Sequence, residues 1–305
     1  MRGISVIIPT KDRVSEVINC VRSILDQTMI PDEIIVVNGS RTDQLRPALE
    51  GCFGRTKQIR YIHTEPGLTR QRNVGIRNSS GGIIIFFDDD LLVDRNYVQE
   101  IFRVFSMDAG HKVGGVTGNV EVSYPEIQQL YDRRIFRVLH QLFAIFFFLQ
   151  RRGDGRFLPS GLCTIVNDPG RFAYVEYVSG CNMAFRREVF DEFLFDENIY
   201  SYMRGEDEDF GYRLSRKYRI VYTPYAKVKN NEVRFSKVRY ENIRNRIKNH
   251  FYLFRKNMPQ TFTNKLAFIL SVVGSFFMEV AIGITVRSSE GVRGFIVGLK
   301  EDHKI

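Results

Sequence analysis

The most chemically loaded stretch of the sequence is GGIIIFFDDDLLVD, residues 81–94, in which the apolar run Ile83 to Phe87 meets Asp88, Asp89 and Asp90. Three like charges at the end of an apolar strand repel one another unless something positive sits among them. Alternation along the strand sends Asp88 and Asp90 to one side and Asp89 to the other. Two carboxylates on one side suit a hard divalent cation, Mg2+ or Mn2+, which completes its shell with water and phosphate oxygens. The plainer alternative is an acidic turn, with Asp89 or Asp90 capping the next helix. A second cluster, GEDEDFGYRL, gathers Glu206, Asp207, Glu208 and Asp209. A solvated helix start uses some of that charge through the helix dipole. The remainder suits a general base, since a carboxylate beside a metal-bound phosphate can take a proton from a hydroxyl.

The elements that must position these groups follow from apolar periodicity. ISVIIP, Ile4 to Pro9, reads as a buried first strand closed by the turn-forming PTKD. Apolar residues Val14, Val17, Ile18, Val21, Ile24 and Leu25 recur at helical spacing. EIIVVNGS and QIRYIH read as further strands, and GLTRQRNVGIRNSSGG as a loop and helix leading to the strand before Asp88. Strands alternating with helices imply right-handed βαβ units and a mostly parallel sheet. Ligands of such sheets lie outside the carboxyl ends of the strands, where Thr10, Asn38 and Asp88 to Asp90 fall. Farther on, YVEYVSGCNMAFRREVFDEFLFDEN reads as strand, turn, strand and short helix, and the EDED cluster as a helix start followed by a strand. No internal repeat or low-complexity linker is present.

The chain has 305 residues, a formal charge of +9, 44% hydrophobic and 26% charged residues. Those proportions belong to a globular protein of one large domain plus an appendage, or two ordinary domains. The positive charge points to nucleic acid, an anionic membrane or a phosphorylated substrate. Cys20, Cys52, Cys163 and Cys181 are scattered with no CxxC pair, which argues against a disulfide framework or zinc site and fits a reducing compartment. The opening MRGISVIIPTKDR lacks the long apolar core of a signal peptide.

Taken in order, ISVIIPTKDR, DEIIVVNGSRTD, GLTRQRNVGI, IIIFFDDDLLVD, VSGCNMAFRREVF, FDEN and GEDEDFGYRLSRK resemble the motifs of family 2 glycosyltransferases, from Ile4 to about Val228. The resemblance implies a GT-A fold, a Rossmann-like α/β sheet flanked by helices, and an inverting enzyme that uses a nucleotide sugar, a UDP-sugar above all. It implies that Pro9, Thr10 and Asp12 line the nucleotide. Asn38 stands where the family usually has an aspartate contacting the base, with Gly39 and Ser40 keeping the pattern; an amide can donate as well as accept. Arg72, Asn73 and Gly75 match an RNxG element near the nucleotide. Asp88 and Asp90 match the outer positions of a DxD motif, serving the ribose side and the metal, with Asp89 between them in the nucleotide site. Asp207 matches the aspartate of the ED motif, the base that deprotonates the acceptor hydroxyl, with Glu206 and Asp209 in support. Gly180, Cys181 and Asn182 match a turn beside the acceptor, and Arg213 a basic residue after the ED helix. Asn230 stands near where many relatives carry a histidine. The chain would then divide into a catalytic domain, 1–228, with a nucleotide half (1–120) and an acceptor half (121–228), and a helical, membrane-associated extension, 229–305.

That extension is basic and apolar. RYENIRNRIKNHFYLFRKNMP interleaves cations with aromatics, and Lys265 to Val286 is close to the ~20 residues that span a bilayer. Glu279, Gly274 and Gly283 interrupt it, and basic residues lie on both sides: Arg255 and Lys256 before, Arg287, Arg293 and Lys300 after. Both flanks then stay cytoplasmic, which favours an in-plane or re-entrant element over a crossing. A helix packed on protein is the alternative. The apolar patch Val138 to Arg152, bracketed by Arg133, Arg134, Arg137, Arg151 and Arg152, reads as a surface helix reaching lipid headgroups. The expected partners are a nucleotide-sugar donor, a lipid-linked or saccharide acceptor and an anionic membrane surface at the cytoplasmic face, as a peripheral or monotopic protein. Nucleic acid is not expected, and an oligomer is allowed. The competing function is a non-catalytic scaffold or nucleotide-sugar sensor on the same fold.

Overall fold

The computed structural model describes residues 3–121, 134–150, 152–166, 170–199, 205–230 and 239–302. Contacts divide the chain into two compact units: Met1–Ser123, Asp168–Glu197 and Phe210–Val233 in the first, and Tyr124–Asn167, Asn198–Asp209 and Arg234–Ile305 in the second. In chain order the first unit begins β1 (Ile4–Thr10), α1 (Val14–Leu25), β2 (Glu33–Asn38), α2 (Leu45–Phe53), β3 (Ile59–His63), α3 (Leu68–Asn78), β4 (Ile83–Phe87), β5 (Leu91–Val93), α4 (Tyr97–Met107) and β6 (Val113–Glu121). The second unit contributes α5 (Arg134–Phe146) and the strand pair β7 (Arg152–Gly153) and β8 (Ile165–Val166). The first resumes with β9 (Ala173–Val175), β10 (Asn182–Arg186) and a 3₁₀ turn at Arg187–Asp191. Helix α6 (Glu206–Ser215), whose first residues belong to the second unit, leads into β11 (Arg219–Asn230). Helices α7 (Arg239–Asn257), α8 (Phe262–Val286) and α9 (Glu290–Asp302) complete the second unit.

The sheet of the first unit runs β3-β2-β1-β4-β10-β6-β11-β5, with β9 added on β11. β3, β2, β1 and β4 are parallel, as βαβ units require. β10 then enters antiparallel to both β4 and β6, and β11 pairs parallel with β6 and antiparallel with β5 and β9. The sequence-predicted parallel sheet is therefore its N-terminal part, and the second half is mixed. Every residue of β1, β2 and β4 is buried, as expected of strands covered on both faces. Helix α1 lays Val17, Cys20, Val21 and Ile24 on one face, and the other face of the sheet carries Phe86, Phe185, Phe190, Phe195 and Phe210 in edge and stacked contacts.

Asp89 and Asp90 do not cap a helix. They form a turn into the short strand β5, and α4 starts only at Tyr97 with Asn96 in the cap position.

In the second unit α8 is capped by Thr261, whose hydroxyl accepts from the Asn264 amide at 3.3 Å. Phe268 stacks on Phe254 and meets Phe251 edge-on. Glu279, which interrupted the apolar run in the sequence, is buried and held by Arg239 and by Arg246, the latter at 2.8 Å. Arg244 and Lys248 of α7 likewise hold Glu301 of α9. Arg133 and Arg151, and the side chains of Arg134, Arg137 and Arg152, lie outside the described residues.

Candidate active site

The strand ends of the first unit converge as the sequence predicts. Thr10, the last residue of β1, donates its hydroxyl to Asp89 at 2.6 Å. Pro9 is buried inside β1, opposite Val37 of β2. Gln71, fully buried on α3, donates to the carbonyls of Thr10 and Val37 at 2.7 and 2.8 Å and so ties the ends of β1 and β2 together. The β2 end turns through Gly39, where an added Cβ would lie 3.0 Å from both Gln71 and Pro66. Asn38 is wholly buried, and its carbonyl oxygen accepts from the Ser40 amide at 2.9 Å and hydroxyl at 2.6 Å. Its amide group donates to the Tyr61 hydroxyl at 2.9 Å. The side chain expected to meet a base therefore shapes its own loop, an arrangement suited to Asx side chains. Burial first, and then Asp43, push the Tyr61 phenol up to about 12. Asp12 is exposed with φ 57°, a left-handed conformation, and its amide donates to Ser40 Oγ at 2.7 Å.

The three aspartates lie past the end of β4, with Asp89 and Asp90 in a turn, and do not keep the strand alternation expected of them: Asp89 and Asp90 reach the same Arg13 nitrogen, while Asp88 faces Arg72. Asp89 is buried, with 8% of its side chain exposed, whereas Asp90 keeps 23% and Asp88 39%. The positive charge among them is Arg13: one guanidinium nitrogen lies 2.8 Å from Asp89 and 2.9 Å from Asp90. Burial works against the Arg13 charge, but Asp89 and Asp90 outweigh it and raise its pKa. Burial raises the Asp89 carboxyl above its ordinary range, opposed by Thr10 and Arg13 and assisted by Asp90. Arg72, 1% exposed, approaches Asp88 at 3.6 Å and donates to the Gly180 carbonyl at 2.9 Å. Beneath the turn, burial and then the aspartates push the Cys20 thiol far up, so that it stays a neutral packing group.

The turn predicted beside the acceptor joins this cluster. The Cys181 carbonyl accepts from the Asp88 amide, Gly180 holds Arg72, and Asn182 pairs with Phe87 across the sheet while its side chain meets Thr117. Asn73 takes a supporting place. Its amide donates to the Phe195 carbonyl and to Glu197, and accepts from the Phe195 amide at 3.0 Å, which fixes α3 to the FDEN loop. The same Asn73 contact, helped by Arg70, holds the Glu197 carboxyl below its usual range. Gly75 lets α3 rest on β1, since a Cβ there would lie 2.4 Å from Ile7 Cγ2. Arg213 donates to the Leu194 carbonyl at 2.9 Å and sits over the Phe210 ring. The Asn230 side chain lies outside the described residues.

The second acidic cluster opens α6. Glu206 is buried and Asp207 half-buried, and one Asp207 oxygen accepts from the Glu208 amide at 2.9 Å. Asp209 is fully buried, with Lys256 at 2.8 Å and the Asn257 amide at 3.0 Å on the same oxygen. The end of α7 thus supports the turn that carries Asp207.

Sequence reasoning missed Arg13, Gln71, Tyr61, Lys256 and Asn257. Arg13 had a signal, a cation just past the first strand end; the last two had none.

Among the described residues no cluster of three or more His, Cys, Asp or Glu forms a closed metal site. The donor chemistry at the strand end still fits a hard cation. Asp88 and Asp90 offer partly exposed carboxylate oxygens, and Mg2+ or Mn2+ commonly takes only one or two from the protein.

A mixed sheet with its acidic turn at the β4 end, flanked by helices, is the GT-A fold. It is shared with the mannosyltransferase PcManGT from Pyrobaculum calidifontis in complex with GDP-Man and Mn2+ (TM-score 0.60, 14% identity, 99% of this chain and 87% of that one). S. aureus TarS 1-349 shares it too (TM-score 0.56, 13% identity, 97% of this chain and 80% of that one). Residues 5–194 match the family Glycosyl transferase family 2, and the chain belongs to it. An uncharacterized glycosyltransferase of Rickettsia bellii (strain RML369-C) is 36% identical over 97 residues, 32% of this chain and 14% of the relative. Glycosyltransferase GlyA of Streptococcus pneumoniae serotype 4 is 33% identical over 101 residues, 33% of this chain and 14% of the relative. The match thus spans only 14% of the length of either relative.

Proposed function

We propose that the chain is an inverting hexosyltransferase that moves a sugar from a nucleoside-diphosphate donor, a UDP-sugar, to a hydroxyl of a lipid-linked or saccharide acceptor. The observation that carries the proposal is the carboxylate turn Asp88–Asp90 set between Arg13 and Arg72 at a strand end. The motif match assigns the rest of the work. Asp90 and Asp88 would hold Mg2+ or Mn2+, which when bound neutralises the diphosphate leaving group. Thr10, Asp12 and the Gly39–Ser40 loop line the nucleotide, while Asn38, Asn73 and Gln71 hold that lining in shape. Asp207 accepts the acceptor's proton as its oxygen attacks the anomeric carbon, and a single displacement inverts that carbon. Residues 1–228 carry the chemistry, and the 229–305 extension contributes Lys256 and Asn257 behind the acidic turn. The UDP- and GDP-sugar preference is read by a thermal-shift panel with Mn2+, because a ligand that binds the folded protein raises its melting temperature.

The test is transfer from the selected donor by Asp207→Asn. Loss of transfer by about a hundredfold or more, with donor binding retained, is expected for a general base. Full activity in Asp207→Asn would overturn the assignment. Nucleotide-sugar binding by the wild-type chain with no turnover on any acceptor would select the non-catalytic sensor instead.

A further inference from the structure

The second unit leaves apolar surface uncovered along one side of α8. Leu266, Ile269, Val273, Phe277, Ala281 and Ile284 are exposed, and at steps of three and four residues they form one stripe. Over these residues every other position of α8 is less exposed, so the stripe carries no charge for about 27 Å. Exposed Lys265 stands at one end and exposed Arg287 at the other. Helix α5 adds a second run, with Leu139, Leu142, Ile145 and Phe146 each more than half exposed. It packs on α8 where Phe147 meets Phe277, at 6.4 Å between ring centres. Surfaces of this extent on a water-soluble unit mark an interaction site.

We propose that this stripe seats the protein in the plane of an anionic bilayer, with α8 lying along the interface and not crossing it. Length and composition alone would permit a crossing. The opposite side of α8 forbids it. Glu279 is buried against Arg239 and Arg246 of α7, and Phe268 against His250, Phe251 and Phe254 of the same helix. A crossing α8 would drag into hydrocarbon a helix that also carries Arg244, Lys248, Arg255 and Lys256, at a large cost per charge. In the interface plane the apolar stripe enters the acyl boundary while α7 stays with protein and water. Lys265 and Arg287 then reach headgroup phosphates at both ends, which is the complementarity that selects an anionic surface over a second copy of this basic chain.

The sequence has no tryptophan, so one introduced at a time is a sole reporter. Leu266→Trp, Val273→Trp, Phe277→Trp and Ile284→Trp, each in the full chain, are mixed with phosphatidylglycerol–phosphatidylcholine vesicles containing lipids brominated at different depths. The proposal expects the same shallow quenching depth for all four. A depth that increases to Val273→Trp and Phe277→Trp and falls again at Ile284→Trp means a crossing and overturns it. Co-sedimentation of the wild-type chain with these vesicles, about tenfold weaker for Phe277→Glu, is the matching expectation. Absence of binding to anionic vesicles, or a stable dimer in sedimentation velocity that Phe277→Glu dissociates, assigns the stripe elsewhere. These measurements read lipid and not sugar transfer, so their outcome is independent of the catalytic assignment.

Discussion

At the end of β4, Asp88 and Asp90 keep 39% and 23% of their side chains exposed, with Arg72 beside the first and Arg13 beside the second, whereas Asp209 at the start of α6 is fully buried on Lys256 and Asn257. The first cluster keeps carboxylate oxygen within reach of solvent, held by an arginine that is itself half exposed. The second buries Glu206 and Asp209 and leaves Asp207 between them less covered. Clustered acids thus divide into carboxylates whose oxygens reach solvent and carboxylates held inside the protein. Exposure separates the two, and charge count does not.

The sharpest way to break this comparison is Asp90→Ala. Under the proposed function it lowers transfer by about a thousandfold, or roughly 4 kcal/mol of transition-state stabilisation, and abolishes Mn2+-dependent UDP binding in calorimetry. Lys256→Met tests the structural side, because it removes the cation from the buried Asp209 carboxylate. Denaturant titration is expected to show a loss of about 3 kcal/mol, much of it restored when Asp209→Asn is added. A third outcome concerns His250, which burial, with Arg246 assisting, depresses to about 4 against the hydrogen bond to Ser160. The unfolded chain takes up this proton at a higher pH than the folded one, so stability is full above about pH 6.5 and is lost on acidification towards pH 4. Between about pH 7 and pH 5 this amounts to about 2 kcal/mol, and His250→Gln is expected to flatten that part of a calorimetric pH series. The smallest effect is Arg13→Gln. It costs about 1 kcal/mol in stability, since a half-exposed cation is lost from Asp89, and by uncovering Asp90 it tightens Mn2+ binding in the absence of nucleotide.

Much of the first unit was readable. The apolar spacing placed α1 at Val14–Leu25, the bounds the structure shows, and three predicted strand ends meet around Thr10, Asn38 and Asp88. Local periodicity encodes such elements, and the βαβ rule orders them. The antiparallel entry of β10 was not readable, because a buried strand has the same composition whichever way it runs. Nor were the pairings of the acids. Arg13 meets Asp89 across 76 residues of chain, and Asn257 meets Asp209 across 48. Charges are visible in a sequence, but which pairs the fold brings together is not. The same applies to Asn38 and Asn73: the sequence located them beside the site, while only hydrogen-bond partners show that their amides face inward.

The contact between Gly75 and Ile7 reaches further than its size suggests. One methyl group there would act as a wedge between helix and strand, and the helix it lifted carries Gln71, Arg72 and Asn73 together. Gly75→Ala would therefore withdraw the clamp on two strand ends, the cation beside Asp88 and the tether to the Phe195 loop in a single movement, although none of those three side chains is itself changed.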